Sequence, residues 1–364
     1  MSIRADRKSC NFILYFMKRK WLTILILFAS VLIVSYLVGS CKKHDIVHFT
    51  TSLQQVIPDA FPQPVYRFED NLLTKEGFEL GRKLFYDGRL SRDTGFPCSS
   101  CHQQVAIFGT YEHDRSHGYG MSHTLRNAPP LFNLAWQKEL HWDGQFRSLY
   151  TEASQPILTH NEMAENFFTI IFRLGSDSAY RRMFKAAFGT PVVTEDRILK
   201  ALAQFTGYIT SSNSKYDQYK KGQAVFTTSE QSGYQLYQSK CSTCHPEPMF
   251  TDYSYRNIGL PADTELNDYG RIRVTGKGED SLKFKVPSLR NVYMTANYMH
   301  DGRFNTLMQV LNHYSSGIQS SQTLDPLLVN KIPLTIDEKT DLYNFLKTLS
   351  DSTMLTDPRF AKPQ

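Results

Sequence analysis

Two pentapeptides constrain this chain more than anything else in it: residues 98–102, CSSCH, and residues 241–245, CSTCH. Two cysteines separated by two residues and followed at once by histidine form the attachment signature of c-type haem. The thiols make thioethers to the porphyrin vinyls and the histidine reaches the iron. A lone CxxCH also suits a redox or zinc CxxC that happens to precede a histidine. Two copies in one exported chain point instead to two covalently bound haems c, one on Cys98, Cys101 and His102, the other on Cys241, Cys244 and His245. Of the six cysteines, only Cys10 and Cys41 are left, so no pair remains for a structural disulfide once a leader is removed.

Export is written at the start of the chain. Lys18, Arg19 and Lys20 precede an uninterrupted apolar run over 21–38 that is long enough to span a bilayer. It ends in Val38, Gly39, Ser40 and Cys41, which resembles a bacterial lipobox, where the cysteine is lipidated and becomes the new N-terminus; an uncleaved signal anchor is the alternative. Residues 1–40 are thus expected to be a lipoprotein-type signal peptide. The mature protein would sit on the periplasmic side of a bacterial membrane, held there by a lipid on Cys41. The leader also explains the charge: its loss takes the formal balance from +6 to about +1, and four haem propionates make the remainder mildly acidic. Nothing here argues for a nucleic acid partner.

After Cys41 comes a polar, proline-containing tether over 41–64. From Thr74, a plausible N-cap, Phe78, Leu80, Gly81, Leu84 and Phe85 recur at helical spacing, so a helix delivers the first CxxCH. Upstream of the second motif, GYQLYQSKC echoes the GRKLFYDGR upstream of the first, with Ser229 as a plausible cap. Gly81 and Gly233 are expected where this first helix crosses the last helix of its domain, since a missing side chain lets backbones approach. Those last helices start at Thr194, with Ile198, Leu202, Phe205 and Ile209 on the apolar face, and at Thr335, with Glu338 three residues on. The pattern predicts a mainly α chain: two cytochrome c-like haem domains with long loops, over 65–218 and 219–364, meeting in the polar stretch 215–228.

Further motifs carry a family resemblance. Arg126, Asn127, Ala128 and Pro129, then Trp142, Asp143 and Gly144, then Glu162 and Met163, and finally VPSLRNV from Val286 and HDGRF from His300 together resemble the bacterial dihaem cytochrome c peroxidase and MauG family. The likeness covers nearly the whole chain from about Phe61. It implies that His102 serves the peroxide-reacting haem. In the family a loop histidine can close the other face of that haem; here Tyr119 stands at that position, with His113, His117 and His123 nearby. An open iron suits a peroxidatic site, which needs a vacant position.

Glu162 falls on the family's catalytic glutamate, which takes a proton from one peroxide oxygen and returns it to the other; burial would raise its pKa towards working pH. Ten residues earlier the family usually has glutamine, and this chain has Glu152, a second carboxylate. Trp142 falls where the family places an indole between the haems. Asn127 matches a calcium ligand, with backbone oxygens at Thr295 and Asn297 as companions, and hard oxygens suit calcium. At the second haem Tyr314 occupies the position that decides the subclass, where peroxidases have methionine and MauG tyrosine; His313, Met308 and Met299 are the alternatives. A phenolate stabilises ferric and higher states, a thioether ferrous iron.

The resemblance implies an enzyme that reduces hydrogen peroxide to water with electrons from a small c-type cytochrome or cupredoxin. Its rival is a MauG-like oxidase that uses a charge-shared high-valent dihaem state to oxidise residues of a partner protein. A passive dihaem electron carrier is the third reading; Glu162 and Trp142 speak against it, because a carrier needs no acid–base group. A homodimer is compatible with all three.

Overall fold

The computed structural model describes residues 50–364, so the apolar run and Cys41 lie outside the described residues. Among the described residues no helix is long and apolar enough to cross a membrane. Eight helices of six residues or more carry the fold: α1 (Lys75–Phe85), α2 (Phe167–Ser176), α3 (Ser178–Phe188), α4 (Glu195–Tyr208), α5 (Lys215–Lys220), α6 (Thr228–Lys240), α7 (Leu307–Asn312) and α8 (Ile336–Thr348). Strands β1 (Tyr255–Arg256) and β2 (Phe284–Lys285) pair antiparallel, Tyr255 opposite Lys285. Short single turns and loops make up the rest, in keeping with a mainly α fold of two cytochrome c-like halves.

Local chemistry sets the helix ends. The Thr74 hydroxyl accepts from the Gly77 amide to start α1, and Thr194 accepts from Arg197 to start α4. Thr335 and Glu338 close a reciprocal capping box on α8. The cap of α6 is Thr227 rather than Ser229, because Thr227 has Glu230 three residues on and forms the same box. Ser229, one turn further in, donates to Asp341 of α8 instead.

Each half is organised by one helix crossing. In the first half α1 packs on α4 around Phe85, Phe108 and Phe205, the Phe85 and Phe205 rings 5.0 Å apart. In the second, α6 packs on α8 around Tyr237, Phe250 and Phe345, with the Tyr237 and Phe345 rings 5.1 Å apart. At both crossings a glycine is required. A Cβ on Gly81 would stand 1.9 Å from the Ala201 carbonyl oxygen, and one on Gly233 2.0 Å from that of Asp341.

Two stretches depart from the expected boundaries. The polar stretch at 215–228 is not a linker throughout: α5 occupies its first half, started by a capping box between Ser214 and Asp217, and Tyr216 joins the second core. Polar composition there hides a buried ion pair, in which Asp217 meets Arg290 at 2.9 and 3.0 Å. The described part of the tether is pinned rather than loose. Thr51 bonds Glu76 through its amide and hydroxyl, Gln55 donates to the Gly207 carbonyl, and Phe61 packs edge-on against Trp136 at 5.3 Å. The C-terminal tail also returns to the first half, where Met354 and Phe360 enter its core.

The loops repeat as well. Leu140 pairs with Phe146 and Tyr298 with Phe304, so WDGQF and HDGRF sit in matching hairpins, with Gly144 and Gly302 both at φ +75°. Asn133 and Asn291, both left-handed, donate their amides to Ile209 and Leu349, the residues that end α4 and α8. Each of these loops is thereby latched to the closing helix of its own half.

Candidate active site

Cys98–Cys101 is a single helical turn entered through Pro97, and His102 follows as its cap. The His102 Nδ1 lies 3.0 Å from the Phe108 carbonyl oxygen. A carbonyl only accepts, so Nδ1 carries the proton and Nε2 is left with its lone pair free. His245 is held in the same way, its Nδ1 3.1 Å from both the Phe250 and Pro287 carbonyl oxygens. Burial pushes both imidazoles below the usual histidine range, which keeps them neutral and fit to bind metal. Phe108 and Phe250 take positive φ values of 60° and 55° to aim those carbonyls. Burial also pushes the Cys98 and Cys241 thiols up to about 12. As free thiols they would be inert, which suits side chains placed to carry a covalent group rather than to react as thiolates.

The first CxxCH opens on a cavity of about 500 Å³. Cys98, Cys101 and His102 line it, and so do Glu152, Gln155 and Glu162. The Gln155 amide donates to Glu162 Oε1 at 3.3 Å, and burial pushes the Glu162 carboxyl above the usual range. The loop beneath is tight: the Tyr119 amide donates to the Glu162 carbonyl at 2.7 Å, and a Cβ on Gly118 would meet the Asn161 oxygen at 2.1 Å. Of the loop histidines, His117 lines the cavity. His113 and His123 pack against its ring at 4.8 and 4.6 Å. The Tyr119 ring lies under the Arg92 guanidinium at 5.1 Å.

A second cavity lies between the halves, lined by Asn127, Trp142, Lys285, Thr295 and Asn297. Trp142 lines both cavities. Its indole N–H donates to the Asn127 carbonyl at 2.9 Å, and its own carbonyl accepts from the Lys285 amide at 2.7 Å. The Asn127 side-chain amide donates to the Asp114 carbonyl at 2.8 Å. At the first cavity Arg126 joins the halves, reaching Asp143 at 2.7 Å and Asp268 at 2.5 Å. The Lys285 ammonium donates to Gln137 and to the Glu139 carbonyl, both at 2.7 Å. Burial pushes it down to about 7.

At the second CxxCH, α7 runs into a π-helical turn, His313–Gly317, that carries Tyr314. Burial, and then the Cys244 and Cys241 thiols, push the Tyr314 phenol up. Two of the alternatives have other engagements. His313 is committed through Nε2 to the Ile258 carbonyl at 3.0 Å, and Met299 lines the inter-domain cavity.

Residues 75–225 match the family described as di-haem cytochrome c peroxidase. The methylamine utilization protein MauG of Methylorubrum extorquens is 33% identical over 298 residues, 80% of this chain and 82% of that one. The cytochrome c551 peroxidase of Nitrosomonas europaea is 34% identical over 276 residues, covering 75% and 79%. The crystal structure of a MauG-like protein associated with microbial copper homeostasis superposes with a TM-score of 0.80 at 34% identity, covering 85% of this chain and 99% of that one. The chain belongs to the dihaem cytochrome c peroxidase and MauG family. It is therefore an oxidoreductase, and the family implies two c-type haems.

The residues present fit that group. In a dihaem protein of this family, paired thiols beside a neutral imidazole with a free Nε2 are what thioether attachment and axial ligation require. Three residues of the site escaped the sequence. Gln155 lies seven residues before Glu162, not at the family's usual spacing. His141 pairs with Glu152, its Nε2 2.9 Å from Oε1. Lys285 is the second lysine of the stretch LKFKVP. For His141 the readable signal was a histidine beside WDG; for the other two there was none.

Proposed function

We propose that this protein is an exported, lipid-anchored dihaem peroxidase that reduces hydrogen peroxide to water with electrons from a small c-type cytochrome or cupredoxin. The observation that carries the reading is Glu162, a half-buried carboxyl in the same cavity as His102, oriented by Gln155. The haems, when bound, supply the iron that takes up peroxide and the store for two oxidising equivalents. Glu162 supplies what iron cannot. Raised by burial, its carboxyl takes a proton from the inner oxygen and returns it to the departing one. His102, its Nδ1 fixed by the Phe108 carbonyl, would hold the iron through Nε2.

Trp142 stands in the wall shared by the two cavities, tied at its indole to Asn127 and at its backbone to Lys285. That position supports reading the ring as a step on the path electrons would take between the halves. Asn127, with the carbonyls of Thr295 and Asn297, would hold calcium through neutral oxygens. Cys41 would carry the lipid.

A MauG-like oxidase acting on a partner protein is the second reading. The observation favouring it is Tyr314, carried by a π-helical turn into the neighbourhood of Cys241 and Cys244, since a phenolate ligand favours ferric and higher states.

Glu162→Gln tests the first reading: it keeps the shape and removes the base, and should slow the reaction of the ferric holoprotein with peroxide about 10²- to 10⁴-fold. An unchanged rate, or a wild-type spectrum indifferent to peroxide, defeats it. Negligible wild-type turnover with reduced cytochrome c, alongside a fast peroxide reaction, moves the assignment to the oxidase.

A further inference from the structure

Reduction of one peroxide to two waters breaks the O–O bond, forms two new O–H bonds, and takes up two electrons and two protons. The electrons come from two equivalents of a reduced one-electron donor. Glu162 only relocates a proton that the peroxide already carries. Both added protons have to enter from solvent, and a half-buried carboxyl needs a route to receive them.

His141 and Glu152 stand on such a route. Both line the cavity at His102 and also the inter-domain cavity, so the pair forms part of the wall between them. His141 Nε2 is 2.9 Å from Glu152 Oε1, and the two side chains are 23% and 22% exposed, in reach of water without being free in it. The arrangement is held from both sides. His141 adopts φ +64°, uncommon for a residue with a side chain, and its ring packs edge-on against Phe146 at 4.9 Å. Glu152 ends a turn, Leu149–Glu152, capped by the Ser148 hydroxyl. His141 Nδ1 has no hydrogen-bond partner among the described residues, so it is free to take a proton while Nε2 faces the carboxylate.

We propose that His141 and Glu152 form a second acid–base pair, which passes the protons consumed in peroxide reduction from the inter-domain cavity to the cavity of Glu162. The proposal rests on the peroxidase reading. An imidazole that accepts at one nitrogen and releases at the other is suited to the task, and the carboxylate keeps a proton attracted to the pair. The glutamine usual in the family at this position could not ionise. The pair is also electrostatically linked to the group it would serve. The Glu152 charge pushes the Glu162 carboxyl up and a protonated His141 pulls it down, so a proton arriving on the pair eases release from Glu162. The other titratable groups facing the pair are Lys285 from β2, and the neutral His102 and Cys98 from the CxxCH turn; Glu139 and Asp143 beside and in its own hairpin act on Lys285.

The test uses ferric holoprotein with cyanide, which enters as hydrogen cyanide and must leave its proton on a group in the cavity. Association is followed against pH in wild type, Glu152→Gln, His141→Gln and Glu162→Gln. Each pair variant should delete one titration step from the profile, Glu162→Gln should delete a different one, and Glu152→Asp should keep the wild-type shape. With reduced donor, the pair variants should lose about tenfold or more in turnover. A half-exposed ion pair adds little stability, so a purely structural role would leave every profile in place. Cyanide profiles of both pair variants that superimpose on wild type overturn the proposal and leave the peroxidase reading standing. Wild-type protein inert to peroxide overturns that reading, while the cyanide profiles still judge the pair.

Discussion

Replacing Gly81 with alanine sets two quantities against each other that the structure allows to be weighed. Alanine is favoured over glycine in a helix by about 1 kcal/mol, so propensity alone predicts a more stable α1. The added Cβ, however, would stand 1.9 Å from the Ala201 carbonyl oxygen and 3.0 Å from the Phe205 Cβ. The obstacle is helix backbone rather than the end of a flexible side chain, so α1 and α4 must separate by roughly an ångström across a close-packed core. Overpacking of this kind costs about 1–3 kcal/mol, and a backbone clash belongs at the upper end. The net is a loss of about 2 kcal/mol, or about 4–8 °C in melting temperature at about 2–4 °C per kcal/mol. Gly233→Ala, whose Cβ would meet the Asp341 oxygen at 2.0 Å, should behave alike. Gly175 in α2 has nothing within 4 Å of its Cβ position, and Gly175→Ala should gain about 0.4–1 kcal/mol. The assay is thermal unfolding of ferric holoprotein followed by circular dichroism in the haem band. If Gly81→Ala melts level with or above Gly175→Ala, the close-crossing argument is wrong.

Arg290 is 1% exposed and holds Asp217 through two hydrogen bonds, so Arg290→Leu strands a buried carboxylate and should cost about 3–5 kcal/mol by denaturant melt, most of it recovered in the double variant with Asp217→Asn. Burial by itself would raise the Asp217 carboxyl, but Arg290 outweighs it and holds the group below its usual range. That stabilisation is present above the unfolded value near about 4 and lost as pH falls through the lower folded one; an acid melt no steeper in wild type than in the double variant would contradict it. Because burial raises Glu162, the peroxide rate should climb with pH through a value above the usual carboxylate range of about 4.3, and Glu162→Gln should flatten that rise. Tyr314→Phe should convert the second haem to a high-spin ferric signal in electron paramagnetic resonance, and a spectrum identical to wild type would return the sixth ligand to another side chain.

How much of this was legible depended on whether a feature is local. The caps at Thr74, Thr194 and Thr335 were, because a hydroxyl and the amide three residues on are fixed by the chain itself. The cap at Ser229 was misplaced because three hydroxyls stand in a row at 227–229, and only Thr227 has a glutamate at the right offset. Gly81 and Gly233 could be anticipated because the repeat puts them at equivalent places. Long-range effects were not legible. Asp217 looks like a linker residue until Arg290, 73 positions away, closes on it. Lys285 looks like a solvated lysine, yet its chain is threaded between Gln137 and the Glu139 carbonyl. Phe360 returns to the first core just after Pro358 and Arg359, whose carbonyls, 276 and 277 positions from Arg82, accept from its guanidinium.

The matching hairpins account for the inequality of the two haem sites. Counting on from Phe146 and Phe304, Ser148 stands with Thr306 and Leu149 with Leu307; the hydroxyl caps a helical turn in both cases and the leucine is buried in both. The scaffold is thus the same as far as the turn, and the halves diverge only beyond it. In the first half the chain breaks after Leu158 and brings Gln155 and Glu162 to the cavity wall, groups that bind and move protons. In the second half α7 runs on into the His313–Gly317 turn and presents Tyr314, whose phenolate form can bind a metal. His141 and Met299 occupy the same hairpin position, with φ +64° and +75°. One pairs with Glu152; the other offers a thioether that takes no proton. Exchanging these two residues should therefore abolish proton traffic at the first site without creating it at the second, because no carboxylate stands at Val310, the counterpart of Glu152.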